Sequence, residues 1–230
     1  MAINEYTYLL LFEIMPQNVF IRVEGSKDTI FNGQVQSQGH KVTTKSGQTH
    51  NCDGTNCGRN PEPGNTPTAS LDTAASKGKF TFDGKWYDSL GDFYINEIKG
   101  EIATGKDAWH IFVNGQYLLV GGGQYQTKAN DHILWACAKS QPKPLSLKLD
   151  VFSDARAEHE TLFSVRNWET QDPVDSATVA RVADGVTRKV TTDKYGLARV
   201  KFEKGGKSTV RAEKAECIRS DTLTVNVAGK

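Results

Sequence analysis

A two-part, mainly β fold is predicted by three observations. Short segments alternate apolar and polar residues with period two along most of the chain. Turn-forming residues separate them, with 21 Gly against only 2 Met. A single stretch, around 66–78, carries helix signals. The first part therefore reads as α+β with one short helix, the second as an antiparallel sandwich.

The first 15 residues, MAINEYTYLLLFEIM, hold a short apolar core, Tyr6–Phe12, between Glu5 and Glu13. No basic residue leads it, so it reads as an N-terminal tail or a signal remnant rather than a clean secretory leader. NVFIRVEG (18–25) alternates Val19, Ile21 and Val23 against Phe20, Arg22 and Glu24, the pattern of a half-buried strand. TIFNGQVQSQG (29–39) offers a turn at Asn32-Gly33, and KVTTKSG (41–47) is another short strand-like piece. Residues 46–67 are dominated by Gly, Asn, Pro, Thr and Asp and are expected to form one long loop. Thr66 can cap a helix that starts with Pro67 and stops at Gly78, with Leu71, Ala74 and Ala75 along one stripe.

FTFDGKWYDS (80–89) reads as a hairpin turning at Asp83-Gly84, followed by the strand DFYINEIKG (92–100). AWHIFVNGQYLLVGGG (108–123) is a hairpin turning at Asn114-Gly115, and HILWACA (132–138) is a last apolar strand. Gln141-Pro142-Lys143-Pro144 interrupts the pattern, because proline lacks the ladder N–H. The expected organisation is thus a tail at 1–15, a first domain at 16–141, a linker at 142–144 and a second domain at 145–230. Seven alternating segments fill the second domain, at 145–151, 161–168, 177–185, 187–193, 197–202, 208–215 and 222–228. Tight turn signals separate them, including Asp184-Gly185 and Gly205-Gly206, which is the pattern of a sandwich.

Charge excludes some functions. The 28 Lys and Arg face 27 Asp and Glu, net +1. Residues 1–141 carry 12 basic and 14 acidic groups, net −2; residues 142–230 carry 16 and 13, net +3. Neither half has the basic surplus of a nucleic-acid binder, and no apolar run is long enough to span a bilayer as a helix. A nucleophile elbow, a phosphate loop and a zincin helix are absent from the sequence, and no cofactor is expected. Gly121-Gly122-Gly123 has no helix after it, so it reads as a bulge or loop.

Four cysteines, Cys52, Cys57, Cys137 and Cys217, suit one or two disulfides, with Cys52–Cys57 or Cys52–Cys137 as the expected bridge. The Cys52-x4-Cys57 spacing with His50 and Asp53 is a weak metal candidate, because a second Cys/His pair is missing. Asp53 and Asn56 are expected to bond their own loop backbone. Asp88, Asp92 and Glu97 are candidate catalytic carboxylates for glycoside cleavage, which requires two of them across a cleft. Trp86, Tyr87, Tyr94, Trp109, Tyr117 and Tyr125, with Asn114 at the hairpin turn, are the candidate ligand-binding residues. Flat amphipathic rings suit sugar faces and apolar ligands.

The first domain resembles the transcobalamin-like C-terminal domain family, whose function is largely unassigned. Gly91–Ile95, Ala108–Gly115, Gly121–Gly123 and Ala129-Asn130-Asp131 before Ile133-Leu134-Trp135 carry the likeness. Val23-Glu24-Gly25 and His50–Asn56 extend it toward versions found in secreted actinobacterial and fungal proteins. The family's glycine-aspartate entry to the last strand is Asn130-Asp131 here. The second domain is similar to the immunoglobulin-like modules that often follow, through Ala177-Thr178-Val179, Thr192-Asp193, Gly196 and Ala212–Ala215. The resemblance implies a β-grasp-like domain followed by an immunoglobulin-like β-sandwich, and an exported protein. It implies no catalytic activity, and cobalamin is not expected. An exported, non-catalytic binding or adhesion protein for a glycan or a small apolar molecule is the leading expectation. A carboxylate-based polysaccharide hydrolase or lyase is the second, and a purely structural surface protein the third.

Overall fold

Alternating side chains do produce strands along the chain. The computed structural model describes residues 16–56, 58, 60–183 and 186–229. They divide into two compact units, one up to Ser140 and one from Gln141 onward. The expectations for the 1–15 tail, for Cys57 and for the Asp184-Gly185 turn lie outside the described residues.

The first unit runs β1 (Gln17–Glu24), β2 (Thr29–Ser37), β3 (His40–Thr43), β4 (Thr49–Cys52), α1 (Pro67–Gly78), β5 (Phe82–Tyr87), β6 (Asp92–Ile98), β7 (Glu101–Ile102), β8 (Asp107–Val113), β9 (Gln116–Tyr117) and β10 (His132–Lys139). A five-stranded sheet has the order β2-β1-β10-β8-β9; β5-β6-β7 form a second sheet and β3-β4 a hairpin. Only β1 and β10 pair in parallel within the large sheet, from Phe20 opposite His132 to Glu24 opposite Ala136. A parallel pair needs a long crossover, and here every other element of the unit lies within it.

The odd-numbered residues of β1, β8 and β10 form the core: Val19, Ile21 and Val23, Trp109, Ile111 and Val113, Ile133 and Trp135. Leu71 and Ala74 of α1 pack into the same cluster. The opposite face of the sheet is also buried, with Phe112, Leu134 and the ion pair Arg22–Glu24 at 3.3 Å.

Thr66 caps α1: its Oγ1 accepts the Ala69 N–H at 3.1 Å and donates to the Cys52 carbonyl at 2.8 Å. The helix ends at Gly78, with its cap on the next residue. Lys79, at φ 54°, takes the left-handed cap, and a Cβ at Gly78 would press on Phe31 and Phe80.

Three turn expectations are corrected by strand pairing. Asn32-Gly33 makes no turn, since β2 runs straight through it opposite Ile21 and Arg22. Asp83-Gly84 is a register irregularity inside β5, and the chain reverses instead between Tyr87 and Asp92. Thr49–Cys52, expected within a loop, is β4, held by pairing to β3.

The second unit comprises β11 (Leu145–Val151), β12 (Glu160–Asn167), β13 (Thr178–Ala183), β14 (Val186–Thr191), β15 (Leu197–Lys201), β16 (Gly206–Glu213), β17 (Cys217–Ile218) and β18 (Leu223–Val227). Two four-stranded sheets, β15-β12-β11-β17 and β14-β13-β16-β18, share one core. Leu147, Phe163 and Val165 of the first sheet meet Val179, Val210 and Val225 of the second. The two-residue β17 was not expected, because two residues carry no periodicity. A β-grasp-like α+β unit followed by an immunoglobulin-like sandwich is consistent with this architecture.

Candidate functional site

A groove of about 270 Å³ opens in the first unit between Phe93–Ile95 of β6, Trp109–Ile111 of β8, Tyr117 of β9 and the segment Leu118–Gly122 that follows it. The sheet alternation that buries Trp109 and Trp135 places both indoles at this groove. Their N–H groups already have acceptors: Trp109 Nε1 donates to the Glu101 carbonyl at 3.3 Å, Trp135 Nε1 to the Pro67 carbonyl at 3.2 Å. The rings are thus fixed. Tyr94, Leu119 and Val120 are exposed on the groove, Leu119 at 92%. Tyr117 Oη lies 3.1 Å from His110 Nδ1, a buried ring whose pKa is lowered by desolvation.

The groove wall is held by Asp92. Its carboxylate accepts the Phe93 N–H at 2.7 Å and the Gly123 N–H at 3.2 and 3.0 Å through its two oxygens. A Cβ at Gly121 or Gly123 would overlap this carboxylate, and one at Gly122 would lie 2.6 Å from Thr68 Oγ1. The Gly122 carbonyl accepts from Thr68 N at 3.1 Å, and that of Gly123 from Gly54 N at 3.1 Å. The triplet is therefore a loop whose glycines permit β6, the start of α1 and the 53–65 segment to meet. Burial pushes the Asp92 carboxyl up to about 6, against the opposing pull of the Phe93, Gly123 and Gln124 N–H groups.

The candidate carboxylates have separate partners. Asp88 accepts the Trp86 Nε1–H at 2.9 Å, and Glu97 pairs with Lys45 at 2.6 Å. Asp92 and Glu97 are five residues apart on one strand, roughly 16 Å, beyond the separation that glycoside cleavage uses.

The aromatic candidates split. Trp109 and Tyr117 line the groove, as does Tyr94. Trp86 belongs to a separate cluster, stacked on His50 with centroids 3.9 Å apart and edge-on to Phe93 at 5.1 Å. Tyr87 is exposed beside Lys85, whose Nζ is 5.2 Å from its ring. Tyr125 is half-buried against the core. Asn114 sits at φ 52° in the hairpin turn, donating to Asp131 Oδ1 at 2.7 Å and accepting the His132 N–H at 2.9 Å. Leu119, Val120 and the Asp92 contact with the glycine triplet carry no local sequence signal beyond the short Gln116–Tyr117 return of β9, which frees Leu119 and Val120.

His50 and Asp53 serve separate ends. His50 stacks on Trp86, while Asp53 Oδ1 accepts from Thr55 N at 3.1 Å and Thr55 Oγ1 at 2.7 Å. Among the described residues, no three His, Cys, Asp or Glu side chains gather around a common point. The expected Cys52–Cys137 bridge is corrected, since both are free thiols. Cys52 ends β4 close to Asp92 and Gly123, whereas Cys137 lies on β10 beside Glu101. Burial raises both thiols, Cys137 to about 12.

Residues 71–139, which contain the whole groove and the glycine triplet, match a family described as "Domain of unknown function (DUF4430)". No curated protein matches the chain. The match is consistent with the transcobalamin-like C-terminal resemblance and carries no activity with it.

Proposed function

We propose that the chain is a non-catalytic, exported binding protein whose first unit holds a ligand with a flat apolar face, either a sugar ring of a glycan or a small apolar molecule. The supporting observation is the groove itself: two buried, fixed indoles with Tyr94 and Leu119 exposed around them. Concave apolar surface with a few convergent polar groups is the usual setting for small ligands, and its volume suits one or two rings. The separate engagement of Asp88, Asp92 and Glu97 favours binding over cleavage. The sandwich serves as spacer or adhesion unit in this reading.

Screening the full chain against a glycan array and a panel of aromatic small molecules tests the proposal. A hit is expected to weaken about tenfold in a Tyr94→Ala/Leu119→Ala variant, since both side chains are exposed and their loss spares the fold. Lack of binding across both panels, or a hit indifferent to that variant, refutes it. Export is checked separately, by locating the native protein after cell fractionation.

A further inference from the structure

The sandwich unit carries a second recess, of about 210 Å³, lined by Arg181, Arg188, Glu203, Lys204, Gly206 and Lys207 among others. We propose that this recess binds a tetrahedral oxyanion, a sulfate or phosphate group, either free or as an ester.

Four cations and one carboxylate line it, so its formal charge is +4 − 1 = +3, in a chain whose total is only +1. Arg181 and Arg188 stand directly opposite each other across β13 and β14. Like charges in that position destabilise a sheet. Glu203 bridges them, with Oε2 2.7 Å from Arg181 Nη2 and Oε1 3.1 Å from Arg188 Nη1. One carboxylate between two guanidiniums leaves the arginine pair with excess positive charge. Lys204, in the loop after β15, and Lys207, at the start of β16, add to it.

Arg181 is the buried cation of the lining. Its side chain is only 4% exposed, with the guanidinium 5.3 Å from the Phe202 ring, and among the described residues its buried Nε has no acceptor. A buried N–H without an acceptor is costly, and charged groups make it more so. Nε itself is closed to solvent, so an oxyanion in the recess is held by the exposed Arg188, Lys204 and Lys207 side chains and offsets the excess positive charge around Arg181. The loop admits it: Gly206, at φ 125°, faces open space, so no Cβ obstructs the mouth. Donors converging from three strands and a loop match the several oxygens of a tetrahedral group better than the two of a planar carboxylate.

The test titrates the full chain with sodium sulfate and sodium phosphate at ionic strength held constant with sodium chloride, following the thermal midpoint and the Gly205 and Gly206 amide resonances. A saturable rise in midpoint is expected, as for any ligand that binds only the folded state. Lys204→Ala/Lys207→Ala removes two exposed cations and is expected to weaken binding about tenfold, and Glu203→Gln, which removes the competing carboxylate, to tighten it about threefold. The sulfate and phosphate esters of one monosaccharide, set against the neutral sugar, distinguish the two sources. No response beyond sodium chloride, binding unchanged in the double lysine variant, or equal response to the neutral sugar overturns the proposal.

Discussion

Asp92 holds Gly123 through both carboxylate oxygens, 3.2 and 3.0 Å from one backbone N–H, across 31 residues of chain. That contact fastens the strand under the groove to the loop that walls it. The glycine triplet is therefore a packing requirement rather than a flexible spacer.

Gly121→Ala places a methyl inside the Asp92 carboxylate and is expected to destabilise the first unit by about 2–4 kcal/mol, the scale of overpacking combined with a displaced buried polar group. Gly47→Ala is the control for an unobstructed position, where only the left-handed backbone opposes the change. Urea unfolding of the two variants checks the difference; equal loss in both contradicts the packing account.

Asp92 also makes stability pH-dependent in an unusual direction. Its carboxyl titrates near 6 when folded, above the ordinary value of about 3.9 in the unfolded chain. The protonated form is thus favoured by folding. Its contribution is complete below about pH 4 and is lost as pH rises through 6, with a total on the order of 3 kcal/mol. The difference in unfolding free energy between the native protein and Asp92→Asn is expected to change across that window and to level off above it. A flat difference from pH 4 to 7 sinks this prediction.

Thr66→Ala removes both the Ala69 cap and the donation to the Cys52 carbonyl. A loss of about 1–2 kcal/mol is expected, at the upper end for an N-cap because the second bond is buried. Thr66→Ser keeps the oxygen and is expected to recover most of it in thermal unfolding.

The thiols give a chemical prediction. With Cys52 buried and Cys137 raised to about 12, neither supplies thiolate near neutral pH. In a Cys57→Ser variant, a thiol reagent is expected to label Cys52 and Cys137 only after denaturant is added. Rapid labelling of either in the folded protein contradicts this.

Strand positions were legible in the residues because period two is a local property: Val19, Ile21 and Val23 announce their face without help from elsewhere. Turn residues misled where a partner strand was long enough to hold them extended. Asn32-Gly33 stays in β2 because β1 pairs along its whole length, and Gly84 stays in β5 opposite Ile95. Half of the groove was visible as aromatic residues, Trp109 and Tyr117 among them. Its wall was not, since nothing local to Asp92 signals that Gly121–Gly123 folds back onto it. The same blindness applied to cysteine, where spacing suggested bridges that the separate settings of Cys52 and Cys137 do not make.

The alignment of Phe20 with His132 has a consequence for biosynthesis. During translation, the central seam of the large sheet stays unmade until nearly the entire first unit has left the ribosome. Until then β1 presents an unsatisfied backbone edge, open to strands of neighbouring nascent chains. Release truncated before residue 132 should yield insoluble material, whereas release after Ser140 leaves both halves of the seam available to close.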